Sequence, residues 1–263
     1  MPFATADGNV RLHFETIGSG EPILLVSGQA SDRHVWDAVR DDFASHHQVI
    51  VFDHRGTGES DRPQQPAYTT RAFARDAVAV LDHLGIRRAH AYGISMGGRV
   101  CQWLGIDHAE RIGALVLGAT TPGNARGVRR SPDVDAVLRG SDSAASLTLE
   151  VSPRWMANHP EFMARMAGIE RHRVAPIARD LHYRASEAHE AWDLLPAIAA
   201  PTLVIHGSDD RVNPTANAYL LKERIPAAEL YIVQGGRHGF FEEFREEASR
   251  VVLDFLRRHP LKG

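Results

Sequence analysis

Apolar residues recur along this chain in two rhythms. The segment VRLHFET (residues 10–16) alternates apolar and polar side chains, the period of a half-exposed edge strand. PILLVSG, QVIVFDHR and RAHAYGIS follow, two of them nearly continuous apolar runs, as strands buried on both faces of a parallel sheet are. IGALVLGAT (112–120), PTLVIHG (201–207) and ELYIVQGG (229–236) continue the series. Between the strands the period changes to that of a helix. TRAFARDAVAVLDHLG predicts a helix with Thr70 as N-cap and Gly85 as C-cap, and REEASRVVLDFLRRH predicts an amphipathic helix covering one sheet face.

Strand and helix alternate, which predicts an α/β fold with a mostly parallel, doubly wound sheet. The rhythm fails once. From about residue 121 to 200 there is no good strand, only short helix-like pieces interrupted by Pro132, Pro153, Pro160, Pro176 and Pro196. This stretch is too long for a plain loop. The expectation is a core of residues 1–120 and 201–263, with residues 121–200 as a helical cap over the strand ends.

Composition narrows the class. The chain has 263 residues, 43% hydrophobic and 24% charged, enough to bury a sizeable core. A net charge of -3 offers no strong field to nucleic acid or an acidic membrane. The one cysteine, Cys101, excludes an internal disulfide and fits a reducing compartment. The opening MPFATADGNV lacks the charged-then-apolar pattern of a signal segment, and no apolar run approaches the roughly 20 residues of a membrane helix. A cytoplasmic location is expected.

One stretch carries chemistry. In HAYGISMGGRV, Ser95 stands between Gly93 and Gly97, where an apolar strand gives way to a helix. That is the setting of a nucleophile elbow, in which a strained serine projects its hydroxyl above the sheet. Bulky neighbours would clash there, and Gly98 lets the following helix pack close. A serine hydroxyl needs a base, and the base needs a third group to hold its tautomer. On this architecture the acid and then the histidine follow, each just past a later strand. SDDRVNP supplies Asp209 and Asp210; GGRHGFF supplies His238. Only one of the adjacent aspartates can reach the imidazole. His206 precedes the acid in the chain, so this order leaves it without a part. An oxyanion hole is expected from the backbone N–H of Met96, at the helix start, and of Gln29, after the strand that ends in Gly28. Activity is expected to fall below an apparent pKa near neutrality, where the imidazole becomes charged.

GISMGG, HGSDDRVNP and GGRHGFFEE resemble the nucleophile, acid and histidine motifs of the α/β-hydrolase superfamily, and the likeness runs along almost the whole chain. Its spacing implies Asp210, three residues past Gly207, as the acid, and leaves Asp209 to cap the turn. VFDHRGTGESD (51–61) is similar to a structural turn of that family, so Asp53 and Arg55 receive no catalytic part. HVWDAV resembles the branch of enol-lactonases and small-molecule esterases. Ser27-Gly28 stands where many relatives have His-Gly, which changes the support of the oxyanion loop. Ile94 stands where relatives that cleave carbon–carbon bonds have Asn. A serine nucleophile, rather than aspartate, argues against haloalkane dehalogenase and epoxide hydrolase chemistry.

The resemblance implies a serine hydrolase of a small-molecule carboxylic ester or lactone, with Ser95, Asp210 and His238 as the triad and no cofactor or metal. Neither nucleic acid nor membrane is expected as a partner, and the oligomeric state stays open. Two alternatives remain. One is an amide or peptide hydrolase, with Glu150, Glu161 or Glu170 holding an amine. The other is a non-catalytic ligand receptor on the same fold. His34 and Trp36 near the entrance and Trp155 and Trp192 in the insert are the expected pocket residues.

Overall fold

The computed structural model describes residues 2–64, 68–139, 143–171, 174–226 and 228–261, with side chains except those of 139, 143 and 167–171. Eight strands form one sheet: β1 Phe3–Ala6, β2 Val10–Ile17, β3 Glu21–Val26, β4 His47–Phe52, β5 Ala89–Ile94, β6 Ile112–Gly118, β7 Thr202–Gly207 and β8 Ala228–Val233. Their spatial order is β1-β2-β4-β3-β5-β6-β7-β8. The first two strands are antiparallel to their neighbours, and β4 onward is parallel.

The period-two alternation of the strands builds two cores. Leu24, Val26, Ile50, Phe52, Leu115 and Leu117 point to one face, while Ile23, Leu25, Val49, Val51, Ala114 and Val116 point to the other. On the first face pack α2 (Thr70–His83), α3 (Met96–Asp107) and α9 (Ala216–Arg224); on the second, α1 (Arg40–Ala44) and α11 (Arg245–Arg258). The chain steps from β3 outward to β4, then back across to β5 on the other side of β3. This reversal places the topological switch point at the carboxyl ends of β3 and β5, the usual ligand position in open α/β sheets. No helix among the described residues is long and apolar enough to cross a membrane.

Among the described residues, five α-helices run between β6 and β7: α4 Pro132–Arg139, α5 Ser143–Glu150, α6 Pro153–Ala157, α7 Pro160–Arg171 and α8 Pro176–Glu187. The prolines expected to interrupt helices instead open four of them, where the missing N–H costs nothing and the fixed φ suits the first turn. Pro196 lies in a short 3₁₀ turn, Leu195–Ala197. A second detail also differs from expectation. The N-cap of α2 is Thr69, whose hydroxyl accepts the Ala72 N–H at 3.0 Å. Thr70 is buried instead, accepting the Trp103 indole N–H at 3.1 Å. Gly85 follows the C-cap Leu84 with φ 68°, a left-handed position that ends the helix.

Candidate active site

Ser95 links β5 to α3 with φ 57° and ψ -118°, a region that side-chain-bearing residues avoid. Its N–H is tied to the Gly118 carbonyl (2.9 Å) and its carbonyl receives the Thr120 hydroxyl (2.7 Å). The glycines around it are sterically required. A Cβ on Gly93 would overlap the Gly97 carbonyl, and one on Gly97 would overlap the Val26 carbonyl. One on Gly98 would sit 2.6 Å from the Thr120 Cβ. The glycines therefore let the strand, the turn and α3 nest against β3 and the Thr120 loop, with Ser95 half-buried at the crest.

The β3 loop faces this turn. A Cβ on Gly28 would lie 3.6 Å from the Ser95 Cβ. Gln29 follows it, and among the described residues neither the Gln29 nor the Met96 backbone N–H donates a hydrogen bond. Met96 is the first residue of α3, whose opening amides have no intrahelical acceptor. The loop is held from three sides. The Ser27 hydroxyl donates to the Asp32 carbonyl (3.1 Å) and His54 Nε2–H to the Ser27 carbonyl (3.1 Å). The Ala30 N–H, at φ 53°, donates to Nδ1 of His182 in α8 (3.3 Å). His182 Nε2–H donates to the Arg55 carbonyl at 2.8 Å, which fixes its tautomer, and burial lowers its pKa to about 4, so it stays neutral. Sequence gave no sign of His182, which comes from 152 residues further along the chain.

Asp210 and His238 meet past the ends of β7 and β8. His238 Nδ1 lies 2.9 Å from Asp210 Oδ2, with both groups buried. Asp210 Oδ1 accepts the N–H groups of Val212 and Asn213, each at 2.9 Å, and Oδ2 is also 3.0 Å from His206 Nε2. Burial works against the Asp210 charge, but the two histidines outweigh it and hold the carboxyl well below its usual range. Asp209 points elsewhere, its carboxylate taking the Ser208 hydroxyl at 2.7 Å. The turn-capping expected of Asp209 is thus done by Asp210, which binds backbone with one oxygen and imidazole with the other. Asn213, within the quoted acid motif but given no part there, ties this turn to the elbow. Its amide donates to the Ala119 carbonyl (2.6 Å), and its Oδ1 lies 3.4 Å from Arg99 Nη2 of α3. The Ser95 hydroxyl makes no hydrogen bond among the described residues, to His238 or to any other group.

The expected pocket residues divide. Trp36 is fully buried under the sheet, packed on Tyr92 (5.0 Å) and Phe241 (5.6 Å), so it belongs to the second core and not to an entrance. Its spacing next to the oxyanion loop misled because the 3₁₀ turn Arg33–Trp36 swings it inward. His34 lies at the surface, paired with Asp37 at 2.8 Å. Trp155 stacks on His159 at 4.0 Å, and Trp192 lies under the Arg224 guanidinium at 5.2 Å. None of these contacts involves Ser95, Asp210 or His238.

The alpha/beta hydrolase fold family profile matches residues 21–168. The chain belongs to the alpha/beta hydrolase family. This hydrolase is 32% identical, over 97% of its length and 98% of the relative's, to a protein of Azorhizobium caulinodans named as a carbamate hydrolase. It superposes on an enol-lactonase from Burkholderia xenovorans LB400 with a TM-score of 0.83 at 26% identity, covering 97% of this chain and 100% of the other. A thermophilic esterase from Thermogutta terrifontis gives 0.81 at 26% identity, with 98% of each chain covered.

In this hydrolase the inserted helices grip the histidine segment directly. His238 N–H donates to the Leu149 carbonyl (3.2 Å) and Gly239 N–H to the Glu150 carbonyl (2.8 Å), both at the end of α5. The carboxylates of the FFEE helix, α10 (Phe240–Glu243), also bind the insert: Glu243 takes the Ser152 N–H at 2.7 Å, and Glu242 pairs with Arg165. Of the three acids proposed from sequence, Glu150 stands beside His238. Glu161 is exposed, and the Glu170 side chain lies outside the described set.

Glu150 alters the acid–base balance. Burial pushes its own carboxyl up, with Asp210 adding to this against the pull of His238. Burial likewise disfavours the His238 imidazolium, but Asp210 and then Glu150 outweigh it and raise the ring to about 9. If His238 is the base, it works only above its pKa, so the acidic limb is expected at higher pH than the near-neutral position read from sequence. Glu150→Gln removes one supporting charge and should move the limb of kcat/KM for an activated ester to lower pH. A limb that stays in place or rises would contradict this electrostatic assignment.

Proposed function

We propose that this protein is a serine hydrolase that cleaves a carboxylic ester or lactone of a small molecule through an acyl-enzyme. The observation that carries the reading is the 2.9 Å hydrogen bond from His238 Nδ1–H to Asp210 Oδ2, on the same sheet end as a serine held at φ 57°. With Nδ1–H committed to Asp210, Nε2 is the basic nitrogen. It takes the Ser95 proton as Oγ attacks the substrate carbonyl. The Gln29 and Met96 N–H groups, both without acceptors among the described residues, receive the developing oxyanion. The imidazolium then protonates the departing alkoxide, water activated by Nε2 attacks the acyl-enzyme, and the acid leaves. For a lactone the protonated leaving oxygen stays attached to the acyl chain, and a single hydroxy acid is released in the last step. Residues 121–200 act as a cap that sets which acyl and alcohol groups fit. The enol-lactonase and esterase likenesses support the ester and lactone class. The relative named as a carbamate hydrolase supports a second reading, a carbamate as substrate, through the same attack on a carbonyl.

Pre-steady-state kinetics on a panel of an activated ester, a lactone, a carbamate ester and an anilide test this. The ester is expected to release one equivalent of alcohol in a burst, followed by slower turnover. The lactone should turn over faster than the carbamate and the anilide. Fastest turnover of the carbamate or the anilide would overturn the substrate class. Tight binding of a panel compound without turnover would favour a receptor.

A further inference from the structure

His206 is a buried titratable group at the sheet end to which the reaction above assigns nothing. It is the penultimate residue of β7, fully buried, and its ring reaches over the acid turn. Nε2 lies 2.7 Å from the Asn213 carbonyl and 3.0 Å from Asp210 Oδ2, while Nδ1 has no partner among the described residues. Both neighbours of Nε2 are acceptors, so the ring proton sits on Nε2. That single N–H closes the turn from Gly207 to Asn213 and places a second positive end on the oxygen that already faces His238.

We propose that His206 is a positioning residue for the hydrolysis, its Nε2–H shared between the Asn213 carbonyl and Asp210 Oδ2 so that Oδ2 is fixed against His238 Nδ1. The assignment rests on Asp210 and His238 acting as the acid and base proposed above. It has two consequences. Without the second donor, Oδ2 loses its lateral constraint, so His238 is aimed less well and kcat falls. The carboxylate also concentrates its charge on the imidazolium alone, so His238 holds its proton to higher pH. The charged and titratable groups facing His238 are Asp210 from the acid turn, Glu150 from α5 and Arg99 from α3, with His206 behind Asp210. Of these, His206 reaches His238 only through Asp210.

The test uses the full chain and two substitutions. His206→Phe keeps the ring and removes the donor. His206→Gln keeps an N–H at nearly the same reach. With an activated ester, His206→Phe is expected to lower kcat about 10- to 100-fold, the worth of one hydrogen bond to a charged group, with KM little changed. The acidic limb of kcat/KM should move to higher pH. His206→Gln should restore the limb and most of kcat. A residue that only fills space would give the opposite pattern, with Phe tolerated and the limb unmoved in both variants, and that result would overturn the proposal. If His206→Phe does not fold, ¹⁵N spectra of the wild-type ring decide instead: a protonated Nε2 and a bare Nδ1 support the assignment, and a proton on Nδ1 overturns it. Labelling with a fluorophosphonate separates the two levels of inference. No Ser95 adduct in the wild type would overturn the hydrolase reading itself. An adduct with an unmoved limb would overturn only the part given to His206.

Discussion

Ser95→Ala should lower kcat on an activated ester by about 10⁴-fold or more, because the members of such a triad act as a unit. The fold should survive the change. The Ser95 hydroxyl makes no hydrogen bond among the described residues, so its removal strands no partner. Alanine bears the same Cβ as serine and is strained to the same degree at φ 57°. The loss is therefore confined to the nucleophile. Steady-state kinetics beside a thermal melt make the check: an unchanged melting temperature with near-normal turnover would remove Ser95 from the reaction.

Asp210→Asn should cost about as much, again about 10⁴-fold in kcat, through a different step. The amide oxygen can occupy the Oδ1 position and keep the Val212 and Asn213 N–H groups, so the turn persists. The amide nitrogen then replaces Oδ2 opposite His238 Nδ1 and sets donor against donor. The imidazole escapes by moving its proton to Nε2, which can no longer accept one from serine. Asp209→Asn is the matched control. Among the described residues its side chain bonds only the Ser208 hydroxyl, which an amide oxygen also accepts, so activity should stay within twofold or so. Reversed results, with Asp209→Asn inactive and Asp210→Asn active, would show that the wrong aspartate had been chosen.

These expectations were legible in the sequence to unequal degrees, for physical reasons. Strand β2 shows as an alternation of apolar and polar residues, and β3 to β7 show as apolar runs because they are buried within the sheet. The four residues of β1, FATA, are too short and too mixed to carry a period. The elbow shows through its glycines, since only they tolerate the approach of the Val26 and Gly97 carbonyls. The choice between Asp209 and Asp210 depended on family spacing, because adjacent residues in a turn have no periodicity to separate them. Contacts between segments distant in the chain left no local mark. His182 on the Ala30 amide and the α5 carbonyls on His238 join the insert to the core across long separations. His206 was set aside for its place in the chain, although its ring reaches the acid four residues later. Trp36 shows the reverse error: an aromatic residue beside a functional loop faces the core.

Ser95 is expected to form a covalent acyl-enzyme, with His238 as its base and Asp210 as the partner of that base. Peptide mass spectrometry after treatment with a fluorophosphonate tests it most directly. The account predicts one adduct per chain, on the peptide carrying Ser95, formed in proportion to the loss of activity and at least a hundredfold more slowly in Asp210→Asn, in line with the lost base. Inactivation with Ser95 unmodified and the label on another residue would contradict it.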